Sequence, residues 1–335
     1  MQPGSTIAPA VGAEASPTLR HAVGIYLELA KARLGALVVL TAVVGYVLAA
    51  RGSSRLDLLV LATIGTALAA FGANIFNQVL EVDRDRLMAR TRQRPLPSGR
   101  ISRRGAFLFG LASCVVGVAT LAIGANLLTA GIAVAIILLY TLVYTPMKVR
   151  SPANTLVGAV CGALPPVMGW TAATGRLEAG AAILFGVLFV WQIPHFLSLA
   201  WMYRDEYAGA GFRMLPVVDP QGVFTARTSL VYAVVLLPLT ALVWIEGLSG
   251  TVFLIGSQLV GVVFVAASIP FVVSNHRRAA RRLFLASILY LPILLGLMVA
   301  DMDDRVRRGA FLGAEPSPPG VQQATASSPR APDET

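Results

Sequence analysis

Asn77, Glu81 and Asp85 stand at i, i+4 and i+8. On a helix that runs through them, all three lie near one face. Two carboxylates beside an amide oxygen suit a hard divalent cation such as Mg2+. The residues that follow, Arg90-Thr-Arg-Gln-Arg94-Pro-Leu-Pro-Ser-Gly99, offer guanidinium groups for the phosphates such a cation would bridge. The same cluster also reads as a solvated salt-bridge network that sets topology. Asp83 points away from the Asn77/Glu81/Asp85 face, so it is the acid free to pair with arginine.

Two other stretches offer partners. One is Trp191-Gln192-Ile-Pro194-His195-Phe196, followed by Tyr203-Arg-Asp205-Glu206-Tyr207. Asp205 and Glu206 are candidates for a second metal site, or simple surface acids near Arg204. An ionisable His195 inside an apolar segment is expensive and therefore a functional candidate; the alternative is a histidine hydrogen-bonded within the bundle. Pro194 is expected to kink its helix and free a carbonyl. The other stretch is Tyr140-Thr-Leu-Val-Tyr144-Thr-Pro-Met-Lys148 with Asn154. Lys148 could reach a diphosphate or mark topology. Gly158-Ala-Val-Cys-Gly162 is a small-residue packing motif, and Pro165-Pro166 is expected to break its span and widen a cavity. Tyr140, Trp170, Trp191 and Trp201 would line that cavity or form interface belts.

The elements that must hold these groups are membrane helices. The chain is 56% hydrophobic and 13% charged over 335 residues, against about 25% charged in soluble domains. Nine apolar segments fall near 34–50, 57–79, 106–123, 127–144, 153–172, 179–201, 229–245, 251–273 and 283–300, behind an amphipathic lead-in from Tyr26 to Arg33. The fold class is thus an all-α polytopic membrane protein of nine transmembrane helices. Residues 25–301 form its intramembrane domain, with disordered tails over 1–24 and 302–335. The net charge of +10 belongs to loops lying against anionic lipid and not to nucleic-acid binding. Arginines 84, 86, 90, 92, 94, 100, 103 and 104 crowd the loop after the second span. Lys148, Arg150, Arg204, Arg213 and Arg227 and the 275–282 run fall in loops of the same parity, which places that face and the N-terminus in the cytoplasm. Cys114 and Cys161 lie in apolar runs and read as small core residues.

Together the three stretches specify a lipid-facing site for a diphosphate with a long apolar tail, held by metal and basic residues. At this point the sequence resembles a known family. The pattern at Asn77, Glu81 and Asp85 resembles the first aspartate-rich motif of the UbiA-type intramembrane prenyltransferases. Glu81 through Gly99 is similar to the protohaem IX farnesyltransferase branch. So are Tyr144-Thr-Pro-Met-Lys148, Asn154 through Trp170, and Trp191 through Pro216. The resemblance implies a bundle around a central cavity. It implies transfer of a farnesyl group from farnesyl diphosphate to a vinyl group of haem B, the substrate, with water capture giving haem O. The alternatives are prenylation of a quinone or chlorophyll precursor, and a secondary transporter that needs no Mg2+.

The resemblance further implies Asn77, Glu81, Asp85 and Lys148 as catalytic residues, and Asn77, Glu81, Asp85, Asp205 and Glu206 around Mg2+. It implies Arg90, Arg94, Tyr144, Asn154, Tyr203 and Tyr207 on the substrates, and His195 on the haem side. The sequence departs from the family pattern at Glu81, where the bacterial branch has Asp. It departs also at Tyr203 and Tyr207, where the wider superfamily has a second pair of aspartates. Lys31-Ala-Arg33 replaces Lys-Pro-Arg, with little expected consequence. The bacterial inner membrane is the expected location, in preference to the mitochondrial one. Haem A synthase or a terminal oxidase in assembly is the implied partner beyond the bilayer.

Overall fold

The computed structural model describes residues 19–50 and 55–302. Of the tails expected over 1–24 and 302–335, residues 1–18 and 303–335 lie outside the described residues. Among the described residues there is no strand, and nine helical segments are long and apolar enough to cross a membrane. A helix α1 (Leu19–Leu29) begins ahead of the boundary read at residue 25 and leads into α2 (Ala32–Ala50). Then come α3 (Leu56–Asp85), α4 (Arg103–Gly124) and a composite span over Leu127–Met147. That span is α5 (Leu127–Leu138), a π-helical turn over Leu139–Tyr144 and a short α6 (Thr145–Met147). Next are α7 (Asn154–Thr174), α8 (Ala179–Met202), the loop helices α9 (Arg204–Gly209) and α10 (Leu215–Val218), and the spans α11 (Val223–Ile245), α12 (Thr251–Ser274) and α13 (Arg277–Ala300).

These helices exist because their sequences are apolar almost all round. In hydrocarbon the helix satisfies every backbone polar group internally. Lipid-facing sides keep large exposed residues such as Phe107, Val115, Val263 and Leu289. Inner sides are small or tightly interlocked. One apolar core joins α8, α11, α12 and α13 with α2 and α7. A second joins α2, α3, α4, α5 and α7. Helices α7 and α8 pack on each other between the two groups.

Neither proline feature breaks its span. Helix α7 runs unbroken through Pro165 and Pro166, and α8 through Pro194. The expected break at Pro165-Pro166 is therefore corrected. A membrane helix with packed neighbours tolerates the lost N–H, and Pro165 and Pro166 are themselves buried in the bundle. Their turn lies against α2: a Cβ on Gly45 would overlap the Pro166 carbonyl oxygen, and one on Gly169 the Ala42 carbonyl oxygen. The 158–162 motif serves close approach to side chains. Gly158 sits under the Tyr144 ring and Gly162 under the Gln192 amide. Trp170 is buried on the far side of the bundle and donates to Glu178 at 3.0 Å, so it lines no cavity at the acid-bearing end.

A paired substitution checks the α2–α7 contact. Gly169→Ala should destabilise the protein by about 1–3 kcal/mol, because overpacking meets rigid backbone. Gly131→Ala on α5, with open space around it, should be neutral or raise stability by about 0.5–1 kcal/mol. Thermal unfolding of the two purified variants in one detergent measures the difference; equal midpoints would reject the tight approach.

Candidate active site at the end of the third helix

Helix α3 continues to Asp85, past the point where the apolar run stops. That continuation puts Asn77, Glu81 and Asp85 in one row, and all three are nearly fully buried, at 1%, 5% and 1% exposure. Asp83 turns outward, as its register requires, and pairs with Arg86 at 3.2 Å and Arg103 at 2.5 Å.

Each of the three inward oxygen donors faces one cation from a different segment. Lys31 Nζ donates to Asn77 Oδ1 at 3.0 Å. Lys148 Nζ pairs with Glu81 Oε1 at 2.8 Å. Arg94 Nη1 donates to Asp85 Oδ2 at 2.8 Å. Burial of charge is costly unless paired; Glu81, Asp85 and Lys148 are paired in this way, whereas Lys31 has only the neutral Asn77 amide oxygen.

The segments reach this row by distinct local devices. The α1–α2 corner is pinned when Gln78 Nε2 donates to the Leu29 carbonyl, and Leu29 packs with Ile75, Val82 and Leu96. Lys31 turns the corner with φ +50°, a left-handed conformation that costs a residue with a Cβ about 1–2 kcal/mol. The π-helical turn shifts the register of the fourth span so that Thr145 accepts from Asn77 Nδ2 at 3.1 Å. Thr145 itself donates to the Tyr140 carbonyl at 2.8 Å. Such turns recur at functional sites. One turn on, Lys148 Nζ lies 4.6 Å from the centroid of the Tyr144 ring, a cation–π contact. The Lys148 carbonyl accepts from Arg213 N at 2.7 Å, and buried Asn154 Nδ2 bonds the Ser151 carbonyl at 2.6 Å and the Arg213 carbonyl at 3.2 Å. Asn154 thus ties the Lys148 loop to the 210–214 loop.

The 86–102 loop is a series of turns and not a helix, so Arg90 and Arg94 part company. Thr91 Oγ1 donates to the Asp85 carbonyl at 2.7 Å and Arg94 folds back on α3. Arg90 crosses to α9: Nη2 donates to Tyr207 Oη at 3.1 Å, its guanidinium lies 5.0 Å from the Tyr203 ring, and its backbone N–H donates to Glu206 Oε2 at 3.3 Å. Asp205 is not brought to this site. It is exposed and pairs with Arg204 at 3.6 Å, because neighbouring residues of the short α9 point to different sides. Among the described residues no three His, Cys, Asp or Glu side chains form a metal group. The expected second carboxylate pair is therefore not assembled.

The electrostatics follow from the crowding. Burial, with Arg94 and Lys148 close by, lowers the Lys31 ammonium to about 7. Burial pushes Lys148 the same way, yet the Glu81 carboxylate more than offsets it and its pKa is raised. The row of two carboxylates and one amide oxygen fits a hard divalent cation. With such a cation bound there, the three basic side chains would be available to a polyanion. Lys31 and Thr145 are the site residues that sequence reasoning passed over. The signal for Lys31 was a lysine in an amphipathic lead-in to the first span.

His195 stands apart from this row, on the side of α8 that meets α13. Its Nδ1 is 2.8 Å from Ser287 Oγ, and its ring stacks with those of Trp191 and Phe284.

The profile of the UbiA prenyltransferase family matches residues 38–289. A relative from Solibacter usitatus, named protoheme IX farnesyltransferase, is 41% identical over 285 residues, covering 82% of this chain and 98% of the relative. The mitochondrial protoheme IX farnesyltransferase of Homo sapiens is 43% identical over 294 residues, covering 88% of this chain and 65% of that one. Among solved structures, a digeranylgeranylglyceryl phosphate synthase superposes with a TM-score of 0.72 at 18% identity, over 85% of this chain and 99% of that one. A UbiA homologue from Archaeoglobus fulgidus bound to GPP and Mg2+ gives 0.58 at 17%, over 82% and 98%. The structural likenesses establish the bundle, and the profile match and sequence identities establish kinship. The chain belongs to the UbiA prenyltransferase family.

Proposed function

We propose that this chain transfers the farnesyl group of farnesyl diphosphate to a vinyl group of haem B, with hydration, to give haem O. The observation that carries the reading is the buried row of Asn77, Glu81 and Asp85, each faced by a cation at the end of an apolar bundle. The choice of haem as acceptor is supported by relatives named protoheme IX farnesyltransferase at 41–43% identity.

Asn77, Glu81 and Asp85 would hold Mg2+, which when bound draws charge from the leaving diphosphate. Glu206 is the acid of the second loop that faces the first loop. Lys31, Arg94 and Lys148 turn from the α3 oxygens to the diphosphate oxygens. There they take up the negative charge that grows as the allylic C–O bond breaks. Arg90, held by Tyr203, Tyr207 and Glu206, locks the first loop to the second and so closes the diphosphate end. Tyr144 and the apolar spans keep water from the allylic cation until the vinyl carbon attacks it. Water then adds to the vinyl-derived cation and loses a proton, leaving a hydroxyethylfarnesyl group.

The location in this reading is the bacterial inner membrane, with the N-terminus and the arginine-rich loop on the cytoplasmic side. An apolar product stays in the bilayer, so haem A synthase or a terminal oxidase in assembly would receive it there.

Purified protein with haem B, farnesyl diphosphate and Mg2+ should yield haem O by mass spectrometry. Chelation by EDTA should stop the reaction and Mg2+ should restore it. Absence of product with both substrates shown to bind would reject the reading.

A further inference from the structure

Two carboxamides inside the bundle keep hydrogen-bonding atoms that no protein group meets. Gln192 on α8 is 4% exposed. Its Nε2 donates to the Leu188 carbonyl at 3.0 Å and to the Ala159 carbonyl of α7 at 3.4 Å, so both amide hydrogens are used. Among the described residues nothing donates to its Oε1. Asn74 on α3 is 6% exposed, and among the described residues its side chain makes no hydrogen bond. Neither amide belongs with the unpartnered groups that are sealed off completely, such as Gln78 Oε1 and Tyr290 Oη. Both therefore touch open space. A polar group left unpaired at membrane depth is costly, which makes each a functional candidate.

Both amides lie deeper in the bundle than the acid row. Asn74 stands seven residues before Glu81 and eleven before Asp85. These separations are close to two and three whole turns, so Asn74 shares their inward face. At 1.5 Å per residue it is about 10 Å deeper than Glu81. Gln192 reaches a matching depth beside α7. Gly158 of α7 lies under the Tyr144 ring and Gly162, one turn on, under the Gln192 amide. Tyr144 in turn meets Lys148, the partner of Glu81. Gly162 is partly exposed although Cys161 and Ala163 on either side are buried. Measured from the last residues of α3 and α8, both amides are about 15 Å in.

The proposed reaction needs a polar group at such a depth. When the allylic C–O bond breaks, its electron pair leaves with the diphosphate. The terminal vinyl carbon then bonds to the farnesyl carbon, and the positive charge passes to the inner vinyl carbon beside the porphyrin. That cation has two fates. A water oxygen bonds to it and gives up a proton to the freed diphosphate, leaving a hydroxyl group. Alternatively the adjacent carbon gives up its proton to the same base, leaving an alkene. We propose, on the reading of haem B as acceptor, that Gln192 Oε1 and the Asn74 amide hold the capturing water and so favour hydration over proton loss. Gln192 Oε1 accepts one O–H of the water, Asn74 steadies it, and an oxygen lone pair is left for the cation. Held at this layer, the water faces the inner vinyl carbon and not the allylic carbon nearer the row. A neutral amide binds water without acting as the base of the competing route.

The products formed from haem B, farnesyl diphosphate and Mg2+ in isotopically labelled water, resolved by mass, test this. The wild type should give haem O carrying the label. Gln192→Leu should raise the ratio of the alkene, lighter by one water, to haem O about 10-fold, as expected for loss of one hydrogen bond to the water. Asn74→Leu should shift the ratio the same way. Gln192→Glu should stay near the wild-type ratio, because a neutral acid still donates to the Leu188 carbonyl and keeps an acceptor oxygen. Damage to packing would slow both products together and leave the ratio alone. If Gln192→Leu yields no folded protein, the ratio in Asn74→Leu decides in the same way. Haem O made at the wild-type ratio in these variants overturns the assignment of the water while the proposed reaction stands. A wild type that forms no farnesyl adduct overturns both.

Discussion

Asp85→Asn should lower turnover by about 10³-fold while the protein remains folded in the membrane. The substitution keeps the shape and an acceptor oxygen but removes a negative charge at a position 1% exposed. Two consequences combine. The row on α3 keeps a single carboxylate, Glu81, and that one is already paired with Lys148 at 2.8 Å. A divalent cation is then held mainly by neutral oxygens, which hard cations bind less well than carboxylates. Arg94 also loses the partner that draws it onto α3 at 2.8 Å. Its side chain is 24% exposed, so solvent relieves part of that loss and the fold survives. A loss of about 4 kcal/mol in transition-state stabilisation corresponds to the stated factor. Steady-state haem O formation measures it. A rise in the Mg2+ concentration needed for half-activity separates metal loss from general damage. Arg94→Gln added to Asp85→Asn should cost much less than Arg94→Gln alone, because contacting groups are not additive. Wild-type turnover in Asp85→Asn would reject a metal held on α3.

The membrane spans and the first half of the site were legible because their signals are local. Apolar length marks a span, and the i, i+4, i+8 register of Asn77, Glu81 and Asp85 is kept as α3 runs on to Asp85. The same register correctly sent Asp83 outward to Arg86 and Arg103. What escaped was tertiary. Asp205 and Glu206 look equivalent as neighbours in sequence, but the short α9 exposes Asp205 and turns Glu206 to the Arg90 backbone. Arg90 and Arg94 both offer guanidinium groups four positions apart in sequence, but the loop carries them to opposite partners. Pro165-Pro166 reads as a break, because propensity in water does not include the neighbours that satisfy a membrane helix. The π-helical turn over Leu139–Tyr144 has no periodic signal, yet it is what brings Thr145 to Asn77. Ser287 lies 92 positions from His195, and an isolated serine in an apolar run carries no mark of its partner.

Lys31→Gly should make the protein slightly more stable and 10- to 100-fold less active, roughly the 1.5–3 kcal/mol that a hydrogen bond to a charged group contributes. Ordinarily glycine near a helix start costs stability. Here the backbone at Lys31 has φ +50°, which glycine adopts freely and lysine does not. The side chain is also unfavourably placed for the fold alone. Burial, with Arg94 and Lys148 near, holds its ammonium at about 7, so the folded state disfavours a charge that the unfolded chain keeps with ease. Removing that side chain leaves Asn77 Oδ1 without its 3.0 Å donor, a smaller loss. The net effect on unfolding should be between zero and a gain of about 1 kcal/mol, seen as an unchanged or raised thermal midpoint. A corner that is strained and charged against its neighbours is kept where function needs it. In the proposed reaction that need is a third cation for the diphosphate, and the loss should appear in farnesyl diphosphate affinity and turnover with haem affinity unchanged. Lys31→Arg, which keeps the charge and the strain, should retain more activity than Lys31→Gly despite lower stability. If Lys31→Gly unfolds the protein, the lysine is structural; if it leaves turnover intact, the diphosphate is held without it.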